Sequence, residues 1–238
     1  MVKIVYRIYQ VLIALPILLV ATIITALLTI LCFARPNARW INRVQAFWAR
    51  LFCYILFIPV HVTGVEHIKP GQSYVFVSNH QSMYDIFAIY GWLPVIFKWL
   101  MKYELKKVPF VGWGCQAAGH IFIKRTNAID AQQSLRDVEK ALTNGISTVI
   151  FPEGTRTANG EVGRFKRGAF QIALDVHLPI IPISLTGCYE VMNRRTFWVT
   201  RHPIHMHIGE PIDLQQWEGQ SSAEIIEKVR DIVINNMD

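Results

Sequence analysis

From Val11 to Phe33 the chain runs 23 residues without a charged side chain, between Lys3 and Arg7 on one side and Arg35 and Arg39 on the other. At about 1.5 Å per residue, a helix of that length matches the hydrocarbon thickness of a bilayer. The run is long for the core of a signal peptide, and bulky Leu31 before Cys32 does not fit a lipoprotein cleavage site. Pro16 marks a kink or a break inside it. Further on, Trp40, Ile41, Val44, Phe47, Trp48, Leu51, Phe52, Ile55 and Leu56 recur at helical spacing, with Arg39, Arg43 and Arg50 among them. Such a helix either packs on a core or lies among lipid headgroups; beside so apolar a neighbour the membrane is favoured. Residues 1–58 are therefore expected to be membrane-anchoring helices, crossing once or entering one leaflet as a hairpin. Residues 59–238 are expected to form a domain of their own.

Composition supports a lipid or phosphorylated partner. Hydrophobic residues make up 52% of the 238 and charged ones 17%, yet the net charge is +7. A basic, oily protein suits an anionic membrane surface or a phosphorylated substrate, and no nucleic-acid-binding signature is visible. The four cysteines, Cys32, Cys53, Cys115 and Cys188, are scattered without metal-site spacing, so small buried thiols in a reducing compartment are expected.

After Pro59, short apolar strands alternate with helical stretches. The readings are Val60–Gly64, Tyr74–Val77, Gly119–Arg125, Ser147–Phe151, Leu178–Leu185 and Pro203–Ile208 as strands, with an amphipathic helix over Asp130–Asn144 and a closing helix from about Ser222. This is an α/β fold, a mixed central sheet flanked by helices, preceded by the N-terminal membrane-associated helical segment. The lysines between Lys98 and Lys107 read either as a solvated face or as a basic rim for an anionic substrate. His205 and His207 share one face of a strand with no carboxylate or cysteine at matching spacing, so a metal site is not expected there.

The chemistry begins after the strand at Tyr74–Val77, in Ser78-Asn79-His80-Gln81-Ser82-Met83-Tyr84-Asp85. A histidine and an aspartate five apart do not meet on a straight helix, but they meet across a strand-to-helix turn. There Asp85 accepts the imidazole Nδ1–H and leaves Nε2 free to take a proton from a hydroxyl. The competing reading is a turn capped by Asn79 and Asp85 around a surface histidine. Arg125 follows another strand, and Glu153 and Arg156 follow a third. In open α/β sheets ligands gather at carboxyl strand ends, and two guanidiniums there make a phosphate clamp.

These motifs resemble those of the glycerolipid acyltransferase family, most closely the bacterial lysophosphatidic acid (1-acylglycerol-3-phosphate) O-acyltransferases. The family's His-x4-Asp motif matches His80 to Asp85. Its glycine, phenylalanine and arginine match Gly119, Phe122 and Arg125; its Phe-Pro-Glu-Gly-Thr-Arg is intact at Phe151–Arg156; its proline-centred strand matches Ile181-Pro182-Ile183. The likeness spans roughly Val60 to Ile212. Lys124 departs from it, since an aspartate often stands there.

The resemblance implies transfer of a fatty acyl group from a thioester donor, acyl-coenzyme A or acyl carrier protein, to the sn-2 hydroxyl of lysophosphatidic acid, giving phosphatidic acid. His80 is implied as general base and Asp85 as its orienting partner. Phe122, Arg125, Glu153, Gly154, Thr155 and Arg156 are implied at the substrate, with the arginines on the phosphate. The resemblance implies no acyl-enzyme, no metal and no bound cofactor. It places the protein on the cytoplasmic (inner) membrane with its catalytic domain facing the cytoplasm and the phospholipid surface as partner. Left open are glycerol-3-phosphate or another lysolipid as acceptor, a serine hydrolase using Ser78 or Ser82, and a non-catalytic lipid-binding protein.

Overall fold

The structure is a computed structural model that describes residues 2–31, 39–123, 136, 138, 140–142, 145–213 and 221–237. Its strands are β1 (Val60–Thr63), β2 (Val75–Ser78), β3 (Phe97–Lys102), β4 (Ile121–Ile123), β5 (Ser147–Ile150), β6 (Ile180–Thr186) and β7 (Ile204–Ile208). They form one sheet in the order β1-β7-β6-β2-β5-β3-β4. From β6 through β2, β5 and β3 to β4 every pairing is parallel, while β7 pairs antiparallel with β6 and parallel with β1. The sheet is therefore mixed, as its alternating apolar runs predict. The central strands β2, β5 and β6 are buried on both faces, which is why β2 and β6 read as nearly continuous apolar runs, while β5 buries Ser147 and Thr148 as well.

Helices α1 (Val2–Tyr9), α2 (Leu15–Leu31) and α3 (Arg39–Ile55) precede the sheet; α4 (Tyr84–Trp92), α5 (Val111–Ala117), α6 (Arg167–Asp175), α7 (Cys188–Val191) and α8 (Ser222–Asn235) lie within it or close the chain. The closing helix starts on a reciprocal cap, in which Ser221 accepts from the Glu224 N–H and Glu224 accepts from the Ser221 N–H. Of the helix expected over Asp130–Asn144, Val138 and Leu142 are buried beside Ile121. Leu135 lies outside the described residues.

The expected break at Pro16 takes the form of one π-helical turn, Gln10–Ala14, between α1 and α2. Proline has no N–H to give the carbonyl four residues back, and its ring crowds that turn. A wider turn, in which the Leu15 N–H bonds the Gln10 carbonyl, absorbs both problems and keeps the axis continuous.

The N-terminal helices are fastened to the sheet domain along their whole length. Tyr6 and Tyr9 donate to the Leu56 and Ile55 carbonyls, both at 2.8 Å, and the Gln10 amide clasps Val199 through its N–H and its carbonyl. Farther along, the Trp99 N–H meets His120 Nδ1, His120 Nε2 meets the Tyr90 hydroxyl, Tyr90 donates to Gln45, and Gln45 donates to Thr29. This polar chain runs from β3 through α4 and α3 to α2. Burial, and then the charge of Lys98, pull His120 down to about 3, so its ring stays neutral.

Two sequence expectations are corrected here. Most of the apolar stripe of α3, read as a membrane face, packs on the core, with Ile41 and Leu56 buried and Trp48, Leu51 and Ile55 against it. Ala49 and Cys53 are fully buried and Phe52 stacks on Phe87 at 4.0 Å, while Trp40, Phe47 and Tyr54 remain exposed. Lys98, read as part of a solvated face or basic rim, is buried in β3, where its ammonium donates to the Ala118 carbonyl and burial lowers its pKa. Lys98 and Lys102 stand four apart on the same face of β3, but burial falls off along the strand, leaving Lys98 buried near its start and Lys102 exposed at its end. His205 and His207 lie on β7, the first stacked on His61 and the second bonded to Thr63.

Candidate active site

The carboxyl ends of β2, β5, β3 and β4 share one edge because these strands are parallel. From β2 the chain crosses beyond β5 to reach β3, and from β5 it crosses back over β2 to reach β6. The crossovers diverge beside β2 and β5, which is where ligands sit in such sheets. Val77 pairs with Ile150, so the segments leaving β2 and β5 run out side by side. His80 lies on one and Phe151 to Arg156 on the other.

His80 and Asp85 meet as their spacing predicts. α4 starts at Tyr84, so Asp85 stands in its first turn, where the helix dipole favours a negative charge. Asp85 is fully buried, and its Oδ2 accepts from His80 Nδ1 at 2.7 Å, from the Gln81 N–H at 2.6 Å and from the Ser82 N–H at 2.8 Å. The carboxylate thereby holds the proton on Nδ1 and leaves Nε2 as the acceptor, and no described residue hydrogen-bonds Nε2. The ring plane is set by Phe151, stacked on it at 4.0 Å and 10°, with Trp99 stacked behind Phe151 at 5.5 Å. Asn79 locks the turn to β6, giving an N–H to the Leu185 carbonyl and accepting the Leu185 N–H, both at 2.9 Å.

The second turn is tied to the first. The Gly154 N–H bonds the Phe151 carbonyl at 3.0 Å, with Pro152 pre-set at the second position of the turn. Gly154 itself has φ +71°, and a Cβ there would sit 2.9 Å from the Lys166 ammonium. Glu153, expected at the substrate, is buried and has both oxygens engaged by backbone: Oε1 accepts the His80 N–H at 2.7 Å and Oε2 the Gly163 N–H at 2.9 Å. Burial raises its pKa, and the two N–H groups and His80 pull it back. Together with the Thr157 N–H on the His80 carbonyl, this carboxylate fixes the base to the Phe151–Arg156 turn.

Thr155 is exposed and Arg156 partly so, and both line a cavity of about 320 Å³ with Glu153 in its wall. Arg164 and Arg194 line the same cavity, and Arg194 donates to the Arg156 carbonyl at 3.3 Å. Neither drew notice in the sequence, because nothing local ties them to Arg156. Arg125 lies outside the described residues. Phe122 pairs with Met101 on β4, with β3 separating it from β5, so it stands roughly 10 Å across the sheet from that strand's end.

The alternative nucleophiles are committed elsewhere. Ser78 donates to the Asn79 carbonyl at 3.2 Å and Ser82 to the Met192 carbonyl at 2.6 Å; both residues are buried. Burial pushes the Cys53 thiol up to about 12 and Cys115 up to about 11, and raises Cys188, so all three stay protonated at neutral pH.

Known proteins share this architecture. The profile of the Acyltransferase family matches residues 59–186. The 1-acyl-sn-glycerol-3-phosphate acyltransferase of Limnanthes alba is 32% identical over 188 residues, 79% of this chain and 66% of that protein. The alpha form from Homo sapiens is 33% identical over 178 residues, 74% of this chain and 63% of that protein. The chain thus spans about two thirds of the length of these curated relatives, just under it in both. Among solved structures, the 1-acyl-sn-glycerophosphate (LPA) acyltransferase PlsC from Thermotoga maritima is similar, with a TM-score of 0.81 and 25% identity, covering 99% of this chain and 94% of that one.

Proposed function

The chain belongs to the acyltransferase family, and from that premise we propose that it acylates the sn-2 hydroxyl of lysophosphatidic acid to make phosphatidic acid. The observation that carries the reading is the His80–Asp85 pair, with Nδ1 bound to a buried carboxylate and Nε2 open, set beside an arginine-lined cavity. Nε2 takes the proton of the acceptor hydroxyl as its oxygen attacks the thioester carbonyl. The tetrahedral intermediate collapses, expelling the donor's thiolate, which takes the proton back from the imidazolium. The ester and a free thiol leave, and no residue is acylated. Arg156 holds the acceptor phosphate, and Arg125 joins it on the strength of its motif. Glu153 and Gly154 act by shaping the turn that carries Arg156. Ser78 and Ser82 donate to carbonyls rather than to His80, which disfavours the serine-hydrolase reading.

The substrate is a membrane lipid, and the N-terminal helices present a surface to match. Lys3–Leu31 is long and apolar enough to cross a bilayer, and only 17% of its apolar window is buried in the protein. Crossing would, however, draw the rest of the domain into hydrocarbon, because contacts from Tyr6 to Thr29 follow the helix along its length. Arg43 and Arg50 of α3 and the segment from Gly91 to Phe97 would then face lipid. The helices instead lie in one leaflet, with the catalytic edge at the cytoplasmic face of the membrane and the donor, acyl-coenzyme A or acyl carrier protein, arriving from the cytoplasm.

The test is incubation of vesicles bearing the protein with a panel of lysolipids and glycerol-3-phosphate, using each donor in turn, followed by lipid analysis. Phosphatidic acid formed from lysophosphatidic acid and lost in His80→Ala is the expected result. Acylation of glycerol-3-phosphate in preference, or recovery of an acylated Ser78 or Ser82, would overturn it.

A further inference from the structure

Outside the N-terminal helices, large apolar side chains cluster in water at two places, each beside one end of the α1–α2 rod. Near one end, Leu105, Val108, Phe110, Val111 and Trp113 are exposed on the approach to α5 and in its first turn. α5 packs on α2 closely enough that a Cβ added to Gly114 would lie 3.5 Å from Ala26. Phe110 holds a φ of +60°, a conformation bulky residues avoid, so this aromatic is kept outward against its backbone preference. Near the other end, Phe197 is 97% exposed and Trp198 40% exposed, with the Arg7 guanidinium 5.0 Å from the Trp198 ring. Cations neighbour both clusters along the chain: Lys102, Lys106 and Lys107 at the first, Arg194, Arg195 and Arg201 at the second.

We propose that both segments seat on the same bilayer surface as the outer face of α1–α2, giving the protein three points of membrane contact. The inference rests on the membrane attachment proposed above and deepens it. Each cluster adjoins the α1–α2 rod, the first through α5 at Ala26 and the second through Trp198 at Arg7, so the three patches belong to one rod and its two ends. Aromatic rings interleaved with lysine and arginine match the headgroup region of an anionic bilayer, where rings sit at the apolar boundary and cations meet phosphates. Helices alone leave the domain free to roll about their axis; contacts at both ends fix its tilt. Arg194 also lines the Arg156 cavity, so the contact at Phe197 holds that cavity close to the lipid surface.

The experiment uses the full chain on vesicles of phosphatidylcholine and phosphatidylglycerol, with and without bromine on the acyl chains, and needs no substrate. Tryptophan emission is compared in wild type, Trp113→Phe and Trp198→Phe. Each variant is expected to lose part of the bromine-quenched emission; a variant whose quenched fraction equals that of wild type overturns the proposal. A second measurement joins Phe110→Asp with Phe197→Asp, using Val65→Asp, an exposed apolar residue away from both clusters, as control. With the circular dichroism unchanged, the double variant is expected to leave vesicles in high salt about tenfold more readily, and the control to behave as wild type. Absence of quenching together with a lipid-free dimer that Phe197→Asp dissociates would make a second copy of the chain the occupant and overturn the bilayer. Protein that shows the quenching but acylates nothing would keep this inference and refute the proposed function.

Discussion

The catalytic turn and the outer face of the N-terminal helices depart from the usual distribution of side chains in opposite senses. At the turn, Asp85 and Glu153 are carboxylates at 0% and 6% exposure, each engaged by backbone N–H groups, Asp85 through Oδ2 and Glu153 through both oxygens. On the helices, Leu12, Leu19, Val20 and Leu27 are left exposed by the described residues. Burying a carboxylate is costly unless donors surround it, so the turn is preorganised at the expense of its own stability. Leaving a continuous apolar face exposed is costly unless something else covers it. The first departure is resolved inside the protein and the second only outside it. One region is therefore resolved within the fold, and the other, on the attachment proposed above, on a lipid surface.

The sharpest way to break that contrast is to damage one region and measure both. His80→Ala should lower acyl transfer by about 10² to 10⁴-fold, the usual worth of a general base, and leave vesicle binding unchanged. Asp85→Asn should cost less, since the imidazole survives with its tautomer poorly fixed. Near-normal turnover of His80→Ala would end the catalytic assignment. The reverse damage is Leu19→Asp, Ile23→Asp and Leu27→Asp combined, on the outer face of α2. Each apolar side chain buried in lipid contributes about 1.5–3 kcal/mol, so flotation should show binding weakened at least about 100-fold. Turnover of a short-chain, water-soluble lysophosphatidate should persist. If the triple variant still floats like wild type, the bilayer is not what covers this face.

A smaller effect tests the link between substrate and base. Charge-assisted hydrogen bonds are worth about 1.5–3 kcal/mol, so Arg156→Ala should lower kcat/KM for lysophosphatidic acid at least tenfold. Part of that loss should fall on kcat, because the phosphate grip also aligns the hydroxyl with His80. Arg156→Lys should recover some of it, keeping the charge without the bidentate fork. Unchanged kinetics in Arg156→Ala would return this arginine to the scaffold.

The smallest effect lies where the two regions meet. His120 is held at about 3 in the folded protein, against an ordinary value near 6.5, because burial, and then the charge of Lys98, disfavour the imidazolium. The unfolded chain binds that proton first as pH falls, so the stability contributed is present above about 6.5 and lost towards 3. The slope should reach at most about 1.4 kcal/mol per pH unit. Urea midpoints across that window should show it in wild type and less of it in His120→Gln; equal slopes would separate His120 from the acid response.

Much of this was legible in the chain. β2, β5 and β6 appear within a residue or two of where their apolar runs place them, since a strand buried on both faces is mostly apolar. The His80–Asp85 contact was legible because the two lie on one turn, and a five-residue spacing fails on a helix but closes across a strand end. The Ser221–Glu224 cap is local for the same reason. What sequence could not assign is whatever depends on strand order. The His80 N–H reaches Glu153 over 73 positions, and Phe151 reaches the His80 ring, only because β5 lies beside β2. Arg164 and Arg194 join Arg156 around a cavity through segments that no periodicity relates. The amphipathic pattern of α3 and the charge of Lys98 each fit two environments, and packing against α4 and within β3 chose between them. Sequence by itself determined six of the seven strands, missing Phe97–Lys102 beneath its lysines, and which turn carries the base, because those depend on neighbours in the chain. Tertiary structure decided which carboxylate holds that base in place and which apolar faces remain uncovered, because those depend on neighbours in space.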